Sequence, residues 1–223
     1  MEIPDGGVVA GEDGIVRCWW CVDDPLLRGY HDLEWGRPLA DDQRIFEKIC
    51  LEGFQSGLSW LTILRKRENF RRAFSSFDIA TVARFDDRDL ERLLLDPGIV
   101  RNRAKIAATI NNAQRSVALI EEFGSLAAYV WSFEPDATSR PEPLDWPTLV
   151  EMGPSEEAMA MGKDLRRRAW SFVGPTTIYS VMESVGLVND HMRGCHSWRD
   201  VEQARSSFQR PLPRSPNDAA PLG

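Results

Sequence analysis

Apolar residues recur along this chain at helical rather than strand spacing. Ile45, Phe46 and Ile49 form a stripe directly after Asp41-Asp42, a pair suited to a helix start. Ile106, Ile110, Ala113, Val117 and Ile120 repeat at four-three-four-three intervals and predict a long amphipathic helix that Gly124 stops. Ser125 then suits the cap of a short helix carrying Leu126, Val130 and Phe133 on one face. Gly174-Pro175 opens another, whose face is Ile178, Val181, Met182 and Val185 and whose end is Gly186. No run alternates convincingly between apolar and polar residues, so strands are expected to be minor or absent. The fold class this pattern predicts is all-α.

The organisation follows from where the pattern fails. Residues 1–16 are acidic and Gly-rich and read as a loose leader; residues 204–223 carry Pro211, Pro213, Pro216 and Pro221 and read as a disordered tail. Residues 17–203 are expected to form a single domain. Within it, the segment 134–154 holds Pro135, Pro141, Pro143, Pro147 and Pro154, which forbid a continuous helix and mark a candidate subdomain crossover. The chain's 223 residues suffice for a substantial core, and 43% hydrophobic with 27% charged residues is an ordinary globular composition. No apolar run reaches the length of a membrane span, and no signal-peptide pattern opens the chain. Four cysteines do not make a disulfide scaffold, which points to a reducing cytoplasm. A monomer is expected, since no long exposed apolar stripe stands out.

A net charge of −7 argues against indiscriminate nucleic-acid binding. It leaves room for a local basic face, because cations cluster at 65–67, at 71–72, at Arg101, Arg103 and Lys105, and at 163–168. Such runs are equally the solvated faces of helices.

Candidate chemistry concentrates at the two ends. All three histidines and three of the four cysteines lie in two short stretches, with Cys18, Cys21 and His31 in front and His191, Cys195 and His196 behind. Zn²⁺ takes four thiolate and imidazole ligands, and a His-x3-Cys spacing lets one turn present two of them. Cys18, His31, His191 and Cys195 are therefore read as one structural zinc site tying the ends together. The alternative is a set of unrelated buried thiols and hydrogen-bonded imidazoles. A second motif, Leu93 to Arg103 with Lys105 following, ends one helix at Pro97-Gly98 and begins the long one. Gly98 permits close backbone approach, the next helix start directs N–H groups outward, and Arg101, Arg103 and Lys105 add positive charge suited to phosphate. That pattern resembles a helix-hairpin-helix clamp on the DNA backbone; an ordinary helical hairpin fits the same residues. In the third, Cys50 to Trp60, Glu52 sits among apolar neighbours and needs a partner if ionised, while Trp60 offers a face to a flat ligand; taken alone, a surface acid and a core tryptophan fit these residues better. In the fourth, Tyr30 to Gly36, Tyr30 adds an aromatic beside His31, and Asp32 or Glu34 is a candidate to orient the imidazole, though solvent-facing acids fit the same pattern.

Taken together, Arg17-Cys18-Trp19-Trp20, Asp24-Pro25-Leu26, Tyr30-His31-Asp32-x-Glu34-Trp35-Gly36, Ile49-Cys50-Leu51-Glu52-Gly53, Gly57-Leu58-Ser59-Trp60, Lys66-Arg67-Glu68-Asn69-Phe70, Phe172-Val173-Gly174-Pro175-Thr176-Thr177 and Gly186-Leu187-Val188-Asn189-Asp190-His191-x-x-Gly194-Cys195 resemble the 3-methyladenine DNA glycosylase I (Tag) family over about residues 17–198. The resemblance implies a helix-hairpin-helix DNA glycosylase fold and a repair enzyme that excises 3-methyladenine from double-stranded alkylated DNA by hydrolysing the N-glycosidic bond. It implies a structural zinc on Cys18, His31, His191 and Cys195, and a base pocket of Tyr30, Trp60 and Glu52, with Glu52 the catalytic candidate. Gly57-Leu58 is read as the wedge that fills the stack left by a flipped base, and Gly98 as the centre of the phosphate grip. The chain departs from the family where a second pocket tyrosine often stands, here Leu27. The competing class is a non-catalytic zinc-stapled module binding DNA or protein, which has no use for Glu52 opposite aromatic rings; a zinc hydrolase would lack one of the four ligands.

Overall fold

The computed structural model describes residues 3–4, 6–140 and 144–214. Eleven α-helices dominate these residues: α1 Pro25–Leu33, α2 Asp42–Gln55, α3 Trp60–Ala73, α4 Ile79–Val82, α5 Asp87–Leu95, α6 Arg103–Phe123, α7 Leu126–Trp131, α8 Trp146–Met152, α9 Glu156–Arg167, α10 Pro175–Val185 and α11 Trp198–Ser207. The centre is α2. Asp41 caps it by accepting from the Arg44 amide at 2.8 Å, and every residue from Ile45 to Phe54 is buried. A helix buried on all faces needs partners on all sides, and α3, α6, α7 and α10 supply them. Even its charged Glu47, Lys48 and Glu52 are buried, so each requires an explanation. Phe54, Phe70, Phe74 and Phe77 continue the main core as a ladder of rings whose successive centroids lie 4.6–6.4 Å apart.

The helices foreseen at Asp42, Ser125 and Pro175 form with the expected caps, and α6 ends at Gly124 in the left-handed region. The face α6 buries is rotated from the expected stripe. Ile106, Thr109, Asn112, Ala113, Ser116 and Leu119 face inward, while Val117 is 39% exposed. Small polar residues can occupy the inner face because the helix satisfies them: Thr109 Oγ1 donates to the Lys105 carbonyl and Ser116 Oγ to that of Asn112.

Two expectations about the ends are corrected. Val8–Ala10, assigned to the loose leader, pairs antiparallel with Val16–Cys18 as β1 and β2, with Val8 opposite Cys18. The tail is ordered beyond residue 204. α11 runs to Ser207, the Phe208 ring lies 4.7 Å from that of Trp131, Arg210 pairs with Glu134 at 2.9 Å, and the Arg214 amide donates to the Phe123 carbonyl. Residues 215–223 lie outside the described set, as do Pro141 and Pro143 of the crossover. What is described of the crossover holds the two-turn α8, whose Pro147 sits in the first turn, where a missing N–H costs nothing. Among the described residues no helix is long and apolar enough to cross a membrane.

Candidate active site and metal centre

The four predicted metal ligands meet in space. β2 delivers Cys18, the last turn of α1 delivers His31, and the loop after α10 delivers His191 and Cys195. All four are buried, and their ligand atoms lie within 4.8 Å of one another. His31 Nε2 is 3.1 Å from His191 Nδ1 and 3.4 Å from Cys195 Sγ; His191 Nδ1 is 3.5 Å from Cys195 Sγ and 4.0 Å from Cys18 Sγ. A tetrahedral zinc with ordinary Zn–N and Zn–S bonds spaces its ligand atoms about 3.3–3.8 Å apart, so the set fits such an ion.

The outer bonds of the two rings point to the same conclusion. His31 Nδ1 lies 2.7 Å from Asp32 Oδ1, and His191 Nε2 lies 3.2 Å from the Trp35 carbonyl. Each oxygen calls for a donor, so the two inward nitrogens present lone pairs to each other. A cation resolves that confrontation. Burial alone would raise the Asp32 carboxyl, but hydrogen bonds from Arg17, His196 and His31 overcome it and hold the group below the usual range. Asn189 fixes the ligand loop by accepting from the His191 amide and donating to Glu202 on α11 at 2.7 Å. Cys21 remains outside the group; its thiol donates to the Cys18 carbonyl.

A cleft of about 570 Å³ opens beside this centre. Tyr30 comes from α1, one residue before His31; Glu52 comes from α2, and Trp60 is the first residue of α3. All three line the cleft, and the Tyr30 and Trp60 rings stand 5.2 Å apart at 54°. Ser59 sets the entry of α3 by accepting from the Thr62 amide. Leu27 also lines the cleft, presenting an aliphatic wall.

Glu52 is 6% exposed, and no protein group among the described residues donates a hydrogen bond to it. Burial pushes its carboxyl from the ordinary 4.5 up to about 8, only partly opposed by Lys48. Lys48 cannot serve as its full counter-ion, because its ammonium pairs with Glu34 at 2.8 Å and lies 5.1 Å over the Tyr30 ring. Glu34 is itself clamped by Arg67 at 2.7 Å; burial raises its carboxyl, but Lys48 and Arg67 together bring it down to about 2. An acid kept without a donor beside two aromatic faces suits a flat ligand that is both cationic and rich in N–H groups.

Sequence reasoning missed several lining residues. Trp20 connects the metal centre to the cleft, its ring 5.4 Å from His31 and 5.1 Å from Trp35. Trp146 of the crossover packs edge-on to Trp19 at 5.2 Å and closes one side. Ser180 and Glu183 of α10 complete the far wall. Trp20 adjoins a ligand cysteine motif and was within reach of sequence reasoning. No local signal marks the other three, because tertiary packing alone brings them there.

Gly57 and Leu58 join α2 to α3 at the cleft rim. Gly57 has φ +77°, and Leu58 is 41% exposed. The hairpin between α5 and α6 forms as expected. Gly98 has no positive φ; it is required by close approach, since a Cβ there would lie 2.9 Å from Asp96 Oδ1 and 3.1 Å from Asn69. Lys66 and Asn69 of α3 both donate to the Gly98 carbonyl. Asn102 caps α6. Arg101 is exposed, and exposed Arg103 pairs with Glu91 of α5. Lys105, assigned to the phosphate grip, is corrected: it is 8% exposed, and its ammonium donates to the Phe54 carbonyl at 2.9 Å and the Ser56 carbonyl at 2.5 Å. The C-terminal carbonyls of α2 are its partners, as expected of a cation at a helix end.

Comparison with known proteins agrees with this geometry. Residues 20–199 match the family described as Methyladenine glycosylase. DNA-3-methyladenine glycosylase 1 of Escherichia coli (strain K12) is 46% identical over 180 residues, spanning 80% of this chain and 95% of that protein. The structure of 3-methyladenine DNA glycosylase I from Staphylococcus aureus, described as the basis of 3-methyladenine recognition, is 34% identical with a TM-score of 0.74, covering 82% of this chain and 96% of that one. A tyrosine-to-phenylalanine variant of a 3-methyladenine DNA glycosylase I, solved in complex with 3-methyladenine, is 33% identical, also with a TM-score of 0.74, covering 82% and 97%.

Proposed function

The chain belongs to the methyladenine glycosylase family, and we propose that it excises 3-methyladenine from alkylated duplex DNA as the first step of base excision repair, with the cleft between α1, α2 and α3 as its active site. The observation that carries the residue assignment is the convergence of Tyr30, Glu52 and Trp60 on one cleft, with no donor to the Glu52 carboxyl among the described residues.

The chemistry asks little of an acid. An adenine methylated at N3 is positively charged, so when the bond from C1′ breaks, the bonding pair passes to the base and neutralises it. Water adds at C1′ and releases its proton. The site must choose the lesion, hold it outside the stack and stabilise the departing arrangement. Trp60 and Tyr30 stack on the electron-poor ring. Glu52 accepts hydrogen bonds from the adenine edge and complements its charge, so binding itself favours the ionised carboxylate. Leu58, raised on the Gly57 turn, fills the vacated stack. The α5–α6 hairpin grips phosphate through the backbone around Gly98 and through Arg101 and Arg103.

The Cys18, His31, His191 and Cys195 group holds zinc in this reading. Those four side chains would hold zinc as a structural cross-link between the two ends of the domain, not as a centre that activates water. The two rings of the site then fix Trp20 and Trp35 against the cleft.

The direct test is chromatography of bases released from methylated duplex DNA. The wild-type chain releases 3-methyladenine; Trp60→Ala lowers kcat/KM by about tenfold to a hundredfold through lost stacking, with an unchanged fold. Absence of released 3-methyladenine overturns the enzyme reading, and full activity in both Trp60→Ala and Glu52→Ala moves the pocket elsewhere.

A further inference from the structure

The cleft contains a second carboxyl group that the roles above do not use. Glu183 lies on α10 one turn beyond Ser180, and both line the cleft that Glu52 enters from α2. α10 packs directly along α2, so two neighbouring helices each contribute one acid to the same hollow. The cations nearby each pair with a different acid. Arg140 and the Tyr179 hydroxyl both bind Asp190, the latter at 2.7 Å, while Lys48 is held by Glu34. No nitrogen or hydroxyl group among the described residues donates to the Glu183 carboxyl, although the Gly36 and Gly186 amides donate to its backbone carbonyl; the polar neighbour of the carboxyl is that of Asp190.

On the reading of this cleft as a base pocket, we propose that Glu183 is a specificity-determining residue: together with Glu52 it makes the cleft favour a purine carrying positive charge over the neutral parent purine. Two acids that share one hollow repel each other's charge, and the fields of Lys48 on Glu52 and Arg140 on Glu183 offset only part of the cost of ionising them. Burial first, then Asp190 and Glu52, hold the Glu183 carboxyl well above the usual range, just as burial holds Glu52 up. A cationic base supplies the missing counter-charge to both. A neutral base leaves the repulsion in place, so discrimination is built into the wall before any bond is broken.

The experiment measures binding of two small probes to the full chain by calorimetry. One is 3,9-dimethyladeninium, permanently cationic; the other is 9-methyladenine, its neutral counterpart. The wild-type chain prefers the cation. Glu183→Gln lowers the ratio of the two affinities on the order of tenfold, as expected for removing one charge at close range in a partly desolvated site. Its affinity for 9-methyladenine stays the same; a purely structural role would lower both affinities together. Glu183→Met, similar in length and without charge, loses the preference equally, whereas Glu183→Asp keeps most of it. An unchanged ratio in both Glu183→Gln and Glu183→Met, or a wild-type chain without preference, overturns the proposal. Release of 3-methyladenine from methylated DNA is scored separately: activity with an unchanged ratio removes only the role of Glu183, whereas its absence removes the glycosylase reading.

Discussion

Glu52 couples the pocket to the pH of the solution. Its carboxyl titrates near 8 in the folded chain against an ordinary 4.5, so the folded state favours the protonated form. The sign follows: its contribution to stability is fully present below about 4.5 and is lost as the pH rises through 8. Glu52→Gln removes this dependence. The variant and the wild-type chain should therefore melt alike near pH 5, and the variant should be the more stable by about 4 kcal/mol at pH 8, since each unit of displacement is worth about 1.4 kcal/mol. Thermal melts of both chains across that range check it, and parallel curves contradict the buried, donor-free environment. The same substitution should remove most glycosylase activity. A group whose charge costs stability without a ligand is one whose place is set by function.

At the scale of elements, the hairpin separates two kinds of cation that look alike in sequence. Arg101 projects into solvent beside the turn, and Lys105, four residues on, is folded back onto the end of α2. Arg101→Ala should reduce the slope of log affinity for duplex DNA against log salt by about 1 without lowering Tm. Lys105→Ala should leave the slope intact and cost about 1–3 kcal/mol, because the Phe54 and Ser56 carbonyls lose their donor. Salt titrations and melts of the two variants distinguish them, and equal slopes for both remove the hairpin from the DNA contact. Gly98→Ala should also destabilise, since its Cβ meets Asn69 and Asp96. The elements were readable because caps and stops are local: Asp41, Ser125, Gly124 and Gly186 each act on their own helix. The burial of Lys105 was not readable, because its partners are backbone groups about fifty residues away. β1 escaped notice for a different reason: three residues are too few for alternation to show.

For the molecule as a whole, the buried Cys18, His31, His191 and Cys195 group joins the N-terminal and C-terminal regions. The purified chain should contain about one zinc, measured by elemental analysis. His191→Ala should prevent stable folding, because a structural zinc contributes on the order of 10 kcal/mol and its loss leaves buried thiols and an imidazole without a partner. A chain that lacks metal yet melts normally contradicts the site. This tetrad was legible in the sequence because histidine and cysteine are scarce here and occur only at the ends, apart from Cys50. The family's motifs likewise exposed Tyr30, Glu52 and Trp60. Glu183 and Trp146 were not legible, since neither stands in a pattern of its own and only the packing of α10 and the crossover carries them to the cleft.

The meeting of Cys18 with Cys195 across the fold also sets a schedule for biosynthesis. A ribosome presents Trp19, Trp20 and Tyr30 well before the segment carrying His191 and Cys195 that packs beside them. Until residue 195 clears the exit tunnel, the nascent polypeptide keeps several large rings uncovered. Truncation near the C-terminus should therefore yield a product that recruits chaperones rather than one that merely binds damage poorly.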